Sequence, residues 1–349
     1  MRRAAMKQPL KKLYVCAFLI SALAVTNVTV AQSKYGTTAA PFLGIGMGAR
    51  PTAMGGAFVA VADDIHALYW NAAGIARAEK IRVGFTHTQW LINTQINWAG
   101  TTIPAGIAGV FGVAITSLNY GTLEVTTISN PDGTGETFTA SDFAAQLSWG
   151  KSLTDRFSVG ISLKFVSQSI FRTSANAFAL DVGFFYDTGL LPNSLRLGAS
   201  ISNFGTQMRL DGEGLTVNFD QTGGTQRGVN SNVPARLLTD QFNLPLIYRI
   251  GVSYDILRDE TNRLSFALDT TIPLDNVQTL NFGGEYAWKD IFFVRAGYNA
   301  LFEGESEKGL TFGAGLRYPI STVILRFDYT YQTFGRLNPP QWFAISIEF

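Results

Sequence analysis

The feature that most constrains this chain is a side-chain period of two, repeated along most of its length. Phe157, Val159, Ile161, Leu163 and Phe165 alternate with Ser158, Gly160, Ser162 and Lys164. Val323, Leu325, Phe327, Tyr329 and Tyr331 alternate with Ile324, Arg326, Asp328 and Thr330, and the pattern recurs over 195–201, 264–268 and 310–316. A β-strand turns successive side chains to opposite faces, so each run has one apolar face and one small or polar face. Two architectures accept such strands. A soluble sandwich hides the apolar faces inside, whereas a membrane barrel turns them to lipid.

Composition decides between them. Only 15% of the 349 residues are charged, 35 are glycine and 13% are aromatic, against about 25% charged in an average soluble domain. Mean hydropathy is positive, yet beyond the N-terminus no stretch holds the roughly 18 consecutive apolar residues of a spanning helix. A chain of this kind crosses a bilayer by closing a sheet on itself, so that every backbone N–H and C=O is paired. The runs are about 9–12 residues long, as tilted membrane strands are, against about 5–6 in soluble sheets. Trp90, Trp98, Trp149, Tyr186, Tyr254, Trp288, Tyr318 and Trp342 fall near run ends, where interfacial aromatic girdles are expected.

The expected fold is therefore all-β: a transmembrane outer-membrane β-barrel of about 14 antiparallel strands with a small N-terminal helical plug. The strands are predicted at 81–91, 94–103, 108–119, 141–151, 156–169, 176–187, 195–203, 247–256, 263–272, 278–287, 292–300, 309–318, 322–332 and 342–349. Alternate connections (104–107, 152–155, 188–194, 257–262, 288–291 and 319–321) are short, as periplasmic turns are. The other set holds the long loops 120–140 and 204–246.

The two ends of the chain agree with export to the bacterial outer membrane. Arg2, Arg3, Lys7, Lys11 and Lys12 precede a short apolar run, 13–25, and small residues lead to a cut before Gln32. Residues 1–31 are thus expected to be a cleaved signal peptide. Its removal takes away Cys16, leaving no thiol chemistry, and leaves 22 basic against 26 acidic residues, a net −4. Such a balance offers no nucleic-acid footprint. At the C-terminus, Phe343, Ile345, Ile347 and Phe349 share one face of a final strand. A strand ending in an aromatic resembles the signal read by the outer-membrane assembly machinery.

Residues 32–78 differ from the barrel that follows over 79–349. Pro51 suits the first turn of a short helix, and Asp63 and Asp64 suit the start of a second that runs to about Trp70. Asn71 and Gly74 are expected in left-handed conformations that stop it. Gly55 and Gly56 allow close packing or unusual dihedrals. A compact segment of small residues ahead of a barrel is placed to fold into the lumen.

The expected lumen set is Lys164, Asp181, Arg196, Asp269, Glu285, Arg295, Arg317, Arg326 and Asp328. Both signs are present, which reads as an internal salt-bridge network; no one-sided constriction of an open pore is visible. His66 and His87 are the only histidines. With no cysteine partner they make a poor zinc site, and neither has a nucleophile at motif spacing. No cofactor, metal or catalytic residue is expected. The loop 204–246 carries Leu215, Val217, Phe219, Leu237, Leu238 and Phe242, so it packs as a lid on the barrel mouth or offers a partner surface.

Ala53-Met54-Gly55-Gly56-Ala57, Ala62-Asp63-Asp64 and Tyr69-Trp70-Asn71-Ala72-Ala73-Gly74-Ile75 together resemble a pattern of the FadL-like superfamily, with Ala72 where the pattern has proline. Within it, the chain is similar to the PorV/PorQ family of type IX secretion, as is the run 245–252 that enters a strand after the longest loop. The resemblance implies fourteen strands, an N-terminal plug and a part in protein export. Its implied partners are the type IX translocon and the C-terminal signal domains of cargo, held at the cell surface. The rival expectations are a FadL-like channel for hydrophobic small molecules and a purely structural barrel.

Overall fold

Alternation closes the chain into a ring. The computed structural model describes residues 36–191, 195–219, 233–303 and 306–349; the expected signal peptide, 1–31, lies outside the described residues. The first seven strands are β1 (Arg82–Gln89), β2 (Gln95–Pro104), β3 (Val110–Glu124), β4 (Thr137–Ser152), β5 (Phe157–Ile170), β6 (Thr173–Asp187) and β7 (Arg196–Gly205). The second seven are β8 (Ile247–Arg258), β9 (Asn262–Pro273), β10 (Thr279–Trp288), β11 (Phe292–Leu301), β12 (Lys308–Ile320), β13 (Val323–Phe334) and β14 (Gln341–Glu348). Each pairs antiparallel with its chain neighbours, β7 with β8 across the long loop, and β14 returns to β1 with Phe85 opposite Ile345. No edge remains, so the backbone is paired all round.

The predicted strands match these closely, except at one hairpin. β3 and β4 run on past a bulge between Asn119 and Thr122, and Leu123 pairs with Phe138. The expected loop 120–140 therefore shrinks to 125–136.

Val83, Phe85, Val113, Leu147, Leu163, Phe178, Ile250, Val294 and Phe327 all stand exposed on the outer wall. Phe343, Ile345 and Phe349 join them at the terminal strand, with Ile347 half-buried on the same face. In water these would be a liability; against acyl chains they are the solvated face. Trp149, Tyr186, Tyr254, Trp288 and Tyr318 lie toward the short-turn ends of their strands and form one girdle. Trp98 and Trp342 correct the girdle expectation. They are 2% and 1% exposed and point inward, with Trp90 meeting Trp342 edge to face at 5.9 Å between ring centroids. Their positions have the buried parity of their strands, which position in the chain near a strand end does not reveal.

Inside sits the segment from Ala40 to Ala78, nearly all of it buried. It is a folded coil with only short helical pieces, Pro41–Gly44, Ala49–Ala53, Ala67–Trp70 and Ala72–Arg77. Room for it comes from an inward belt of glycines. A methyl group built on Gly160 would lie 2.2 Å from the backbone of Ala72, on Gly198 2.2 Å from that of Val59, and on Gly283 2.3 Å from that of Met54. Any side chain there meets plug backbone, which cannot swing aside.

Gly198→Val is expected to destabilise the folded barrel by about 3 kcal/mol or to prevent assembly. Gly284→Ala, whose added methyl would meet the Phe266 ring edge at 3.1 Å and the Ser265 carbonyl oxygen at an ordinary 3.8 Å, is expected to change little. Heat-modifiable mobility in detergent gels and urea midpoints check both.

Candidate functional site

The plug has little regular secondary structure, so its backbone groups need partners from the wall. Asp269 on β9 accepts the N–H groups of Phe58 (2.6 Å) and Val59 (2.7 Å). Thr311 on β12 donates to the Ala53 carbonyl (2.9 Å) and accepts from the Gly55 N–H (3.1 Å). Gln146 on β4 donates to the Leu68 carbonyl, Ser253 on β8 to that of Ala60, and Trp342 on β14 to that of Gly46. The plug is thus sewn to both halves of the ring.

The motif residues take specific parts in this. Gly55 and Gly56 are left-handed, with φ of 65° and 80°, and a methyl on Gly55 would strike the β10 and β11 backbones. Asn71 and Gly74 correct the sequence reading. Asn71 does end the Ala67–Trp70 helix, but in an extended (φ −161°) and not a left-handed conformation, and its side chain accepts from the Ala73 N–H to cap the next helical turn as well. Its amide also donates to the carbonyls of Val59 and Phe184. Gly74 lies inside that turn, where a methyl would fall 2.0 Å from the Ala62 carbonyl oxygen; close approach requires glycine there, not chain reversal.

Glu285 on β10 is the centre of the charge network. It accepts from Arg50 of the plug (2.7 and 3.0 Å), Arg295 (2.6 Å) and Arg263 (2.9 Å). Arg295 continues to Asp328 at 2.6 Å, and Arg50 to Asp63 and Asp64. Burial by itself would raise the Asp64 carboxyl pKa, but His66, Arg50 and Arg326 hold it below the usual range. His66 bridges Asp64 (3.2 Å) and Thr86 on β1 (3.0 Å).

Two smaller clusters lie apart: Lys164 with Asp181 (2.6 Å), and Arg196 with Asp255 (2.7 Å). Of the predicted network, Asp269 instead clamps plug backbone. Arg317 has no ion-pair partner among the described residues; it lines a charged cavity of about 330 Å³ at the short-turn end, with Arg50, Arg82, Arg326 and Glu348. Sequence reading missed Arg50, Arg263 and Asp255. Arg50 was legible as the one charge between Gly44 and Ala62.

At the opposite mouth, the long loop folds back. Met208 and Phe242 exchange backbone hydrogen bonds at 2.8 and 2.9 Å, and Asp211–Gly212 pairs with the start of β6. Beyond them Thr216–Phe219 pairs with Val233–Arg236 as a hairpin; 220–232 lie outside the described residues. Phe242 and Met208, with Tyr120, Leu123, Ile170 and Leu210, line an apolar cavity of about 410 Å³. Asp142 anchors its wall, accepting from Tyr120 (2.8 Å) and Gln168 (2.9 Å), while Gln168 accepts from the Ala40 N–H. Val217, Phe219, Leu237 and Leu238 stay exposed on the hairpin, Leu238 at 83%, while Leu215 is half-buried. Part of the loop packs on the mouth and part is exposed.

The family model described as "Type IX secretion system protein PorV" matches residues 28–228. Solved structures share the fold. A channel titled "CymD monoaromatic hydrocarbon channel" is 13% identical, with a TM-score of 0.53, over 90% of this chain and 97% of its own. The Pseudomonas putida toluene transporter TodX is 12% identical, with a TM-score of 0.53, over 87% and 97%. No curated protein matches.

Glu285→Gln leaves Arg50, Arg263 and Arg295 facing one another without their shared charge. It is expected to cost about 3–5 kcal/mol, read as a lowered midpoint of the folded gel band. Combining it with Arg50→Met is expected to recover part of that loss.

Proposed function

As the chain belongs to the PorV family of type IX secretion system proteins and has the closed barrel of the outer membrane, we propose that it binds the C-terminal signal domains of secreted cargo at the cell surface and carries them between export components. On this reading it is not an enzyme, its partners are the translocon and cargo, and the wall serves as an anchor and platform. The observation that carries the reading is the contrast between the two mouths. The loop end offers exposed Val217, Phe219, Leu237 and Leu238 beside an apolar cavity. An apolar patch of that kind marks a protein-binding surface. The lumen, by contrast, is filled by a segment held through buried charge and wall hydrogen bonds, which suits a carrier better than a conduit.

The second reading, a FadL-like channel for hydrophobic small molecules, draws on the same 410 Å³ cavity, large enough for a small hydrocarbon.

One pair of measurements separates them. Replacing 209–241 with a short Gly-Ser linker is expected to abolish surface display of cargo while the barrel still folds. Uptake of hydrophobic compounds by cells carrying the variant should stay at the level of cells with the native chain. Normal display with lost uptake would reverse the assignment.

A further inference from the structure

The charged cavity at the short-turn end carries more positive charge than its carboxylates absorb. Among the described residues, seven arginines and five carboxylates line its volume of about 330 Å³. Each carboxylate is engaged by an arginine: Asp63 and Asp64 by Arg50, Glu348 by Arg82, Asp255 by Arg196 and Asp290 by Arg263. Arg317 and Arg326 are left over. The Arg317 side chain has no partner among the described residues. Arg326 reaches only Asp64, at 3.9 Å, and that carboxylate is already held by Arg50 and His66.

Strand register sets these two arginines against each other. Arg317 on β12 stands directly opposite Arg326 on β13, and Arg326 stands opposite Ser346 on β14. All three have the inward parity of the buried Thr311, Asp328 and Ala344 on the same strands. Directly opposed side chains of an antiparallel pair have Cβ atoms about 5 Å apart, and like charges there repel. The Arg326 Nε is buried without a hydrogen-bond partner, while its guanidinium is held over the Phe293 ring at 5.0 Å. The Ser346 hydroxyl likewise has no partner among the described residues, and all three side chains remain partly accessible from the cavity. The row thus offers two guanidinium forks and a hydroxyl, and no acceptor that is charged. A tetrahedral oxyanion can accept from all three, and a dianion offsets both guanidinium charges where a carboxylate would offset one.

We propose that this inward row is a phosphate-binding site, with Arg317 and Arg326 gripping phosphate oxygens and Ser346 donating to another. The cavity is of a size used for small molecules, so the phosphate arrives free, on a small soluble molecule, or on a lipid headgroup reached over the rim. The site lies at the end of the lumen away from the exposed loop, and it stands or falls independently of the secretion reading.

The test labels arginines of the native chain with phenylglyoxal in phosphatidylcholine nanodiscs and maps the labels by mass spectrometry. Inorganic phosphate is expected to shield Arg317 and Arg326 saturably. Sodium chloride of equal ionic strength should not, and Arg336, 93% exposed beyond the other end of β13, should be labelled throughout. Shielding that appears without added phosphate once phosphatidylglycerol enters the disc assigns the group to a lipid headgroup; shielding by inorganic or glycerol phosphate alone assigns it to a soluble molecule. In calorimetry, Arg317→Gln is expected to weaken phosphate binding roughly tenfold or more. Its urea midpoint in phosphate-free buffer should match or exceed the native one, since the substitution relieves the cross-strand repulsion. Lys289→Gln, on an exposed turn at the same end, should change neither. Absence of saturable shielding, equal shielding by chloride, or a phosphate affinity unmoved by Arg317→Gln would each overturn the proposal. Should that variant not assemble, the shielding pattern of the native chain decides.

Discussion

A ring of fourteen strands encloses more space than its own inward side chains fill, and bilayer immersion forbids an unpaired backbone inside it. Most of this molecule answers that constraint. The wall gives up side chains at Gly160, Gly198 and Gly283, and the chain's own N-terminal segment occupies the volume released. Because that segment is coil with short helical pieces, its peptide groups must be met by the wall. Asp269, Thr311, Gln146 and Ser253 do so from four different strands.

Charge inside this interior is costly unless paired. The three arginines around Glu285 come from the plug and from two strands, so the cluster is satisfied only in one relative placement of plug and wall. Its value lies in register more than in net stability, since an apolar filling of equal volume could serve stability as well. The cavity at the short-turn end remains rich in arginine and acids, and the opposite mouth is apolar. The two ends of one lumen thus present different chemistries.

Much of the wall was legible in the sequence because alternation and turn parity are local signals. The outward faces and the inward placement of Glu285, Arg295 and Asp328 follow from parity, whereas the extended ends of β3 and β4 do not. What escaped depends on contacts distant in the chain. Asn71 was read from its preference for helix ends, but its side chain is drawn into capping the next turn and bonding Phe184, 113 residues away. Trp98 and Trp342 look like girdle residues in sequence, and only the parity of β2 and β14 turns them inward to fill space beside the plug. Glycine alternation was visible, whereas its meaning as a cradle required knowing what lay within.

The plug's ties also carry a lesson about order of events. Residues 40–78 precede every strand of the ring, yet Glu285, Thr311, Thr330 and Trp342, which fasten them, belong to its later strands. The segment is therefore fully fastened only in a ring that contains its last strands, and the strands that close the seam at β14 and β1 are among those that hold it. A wall that zipped shut first would leave an empty hole to be threaded; a plug that settles as the seam closes avoids threading altogether.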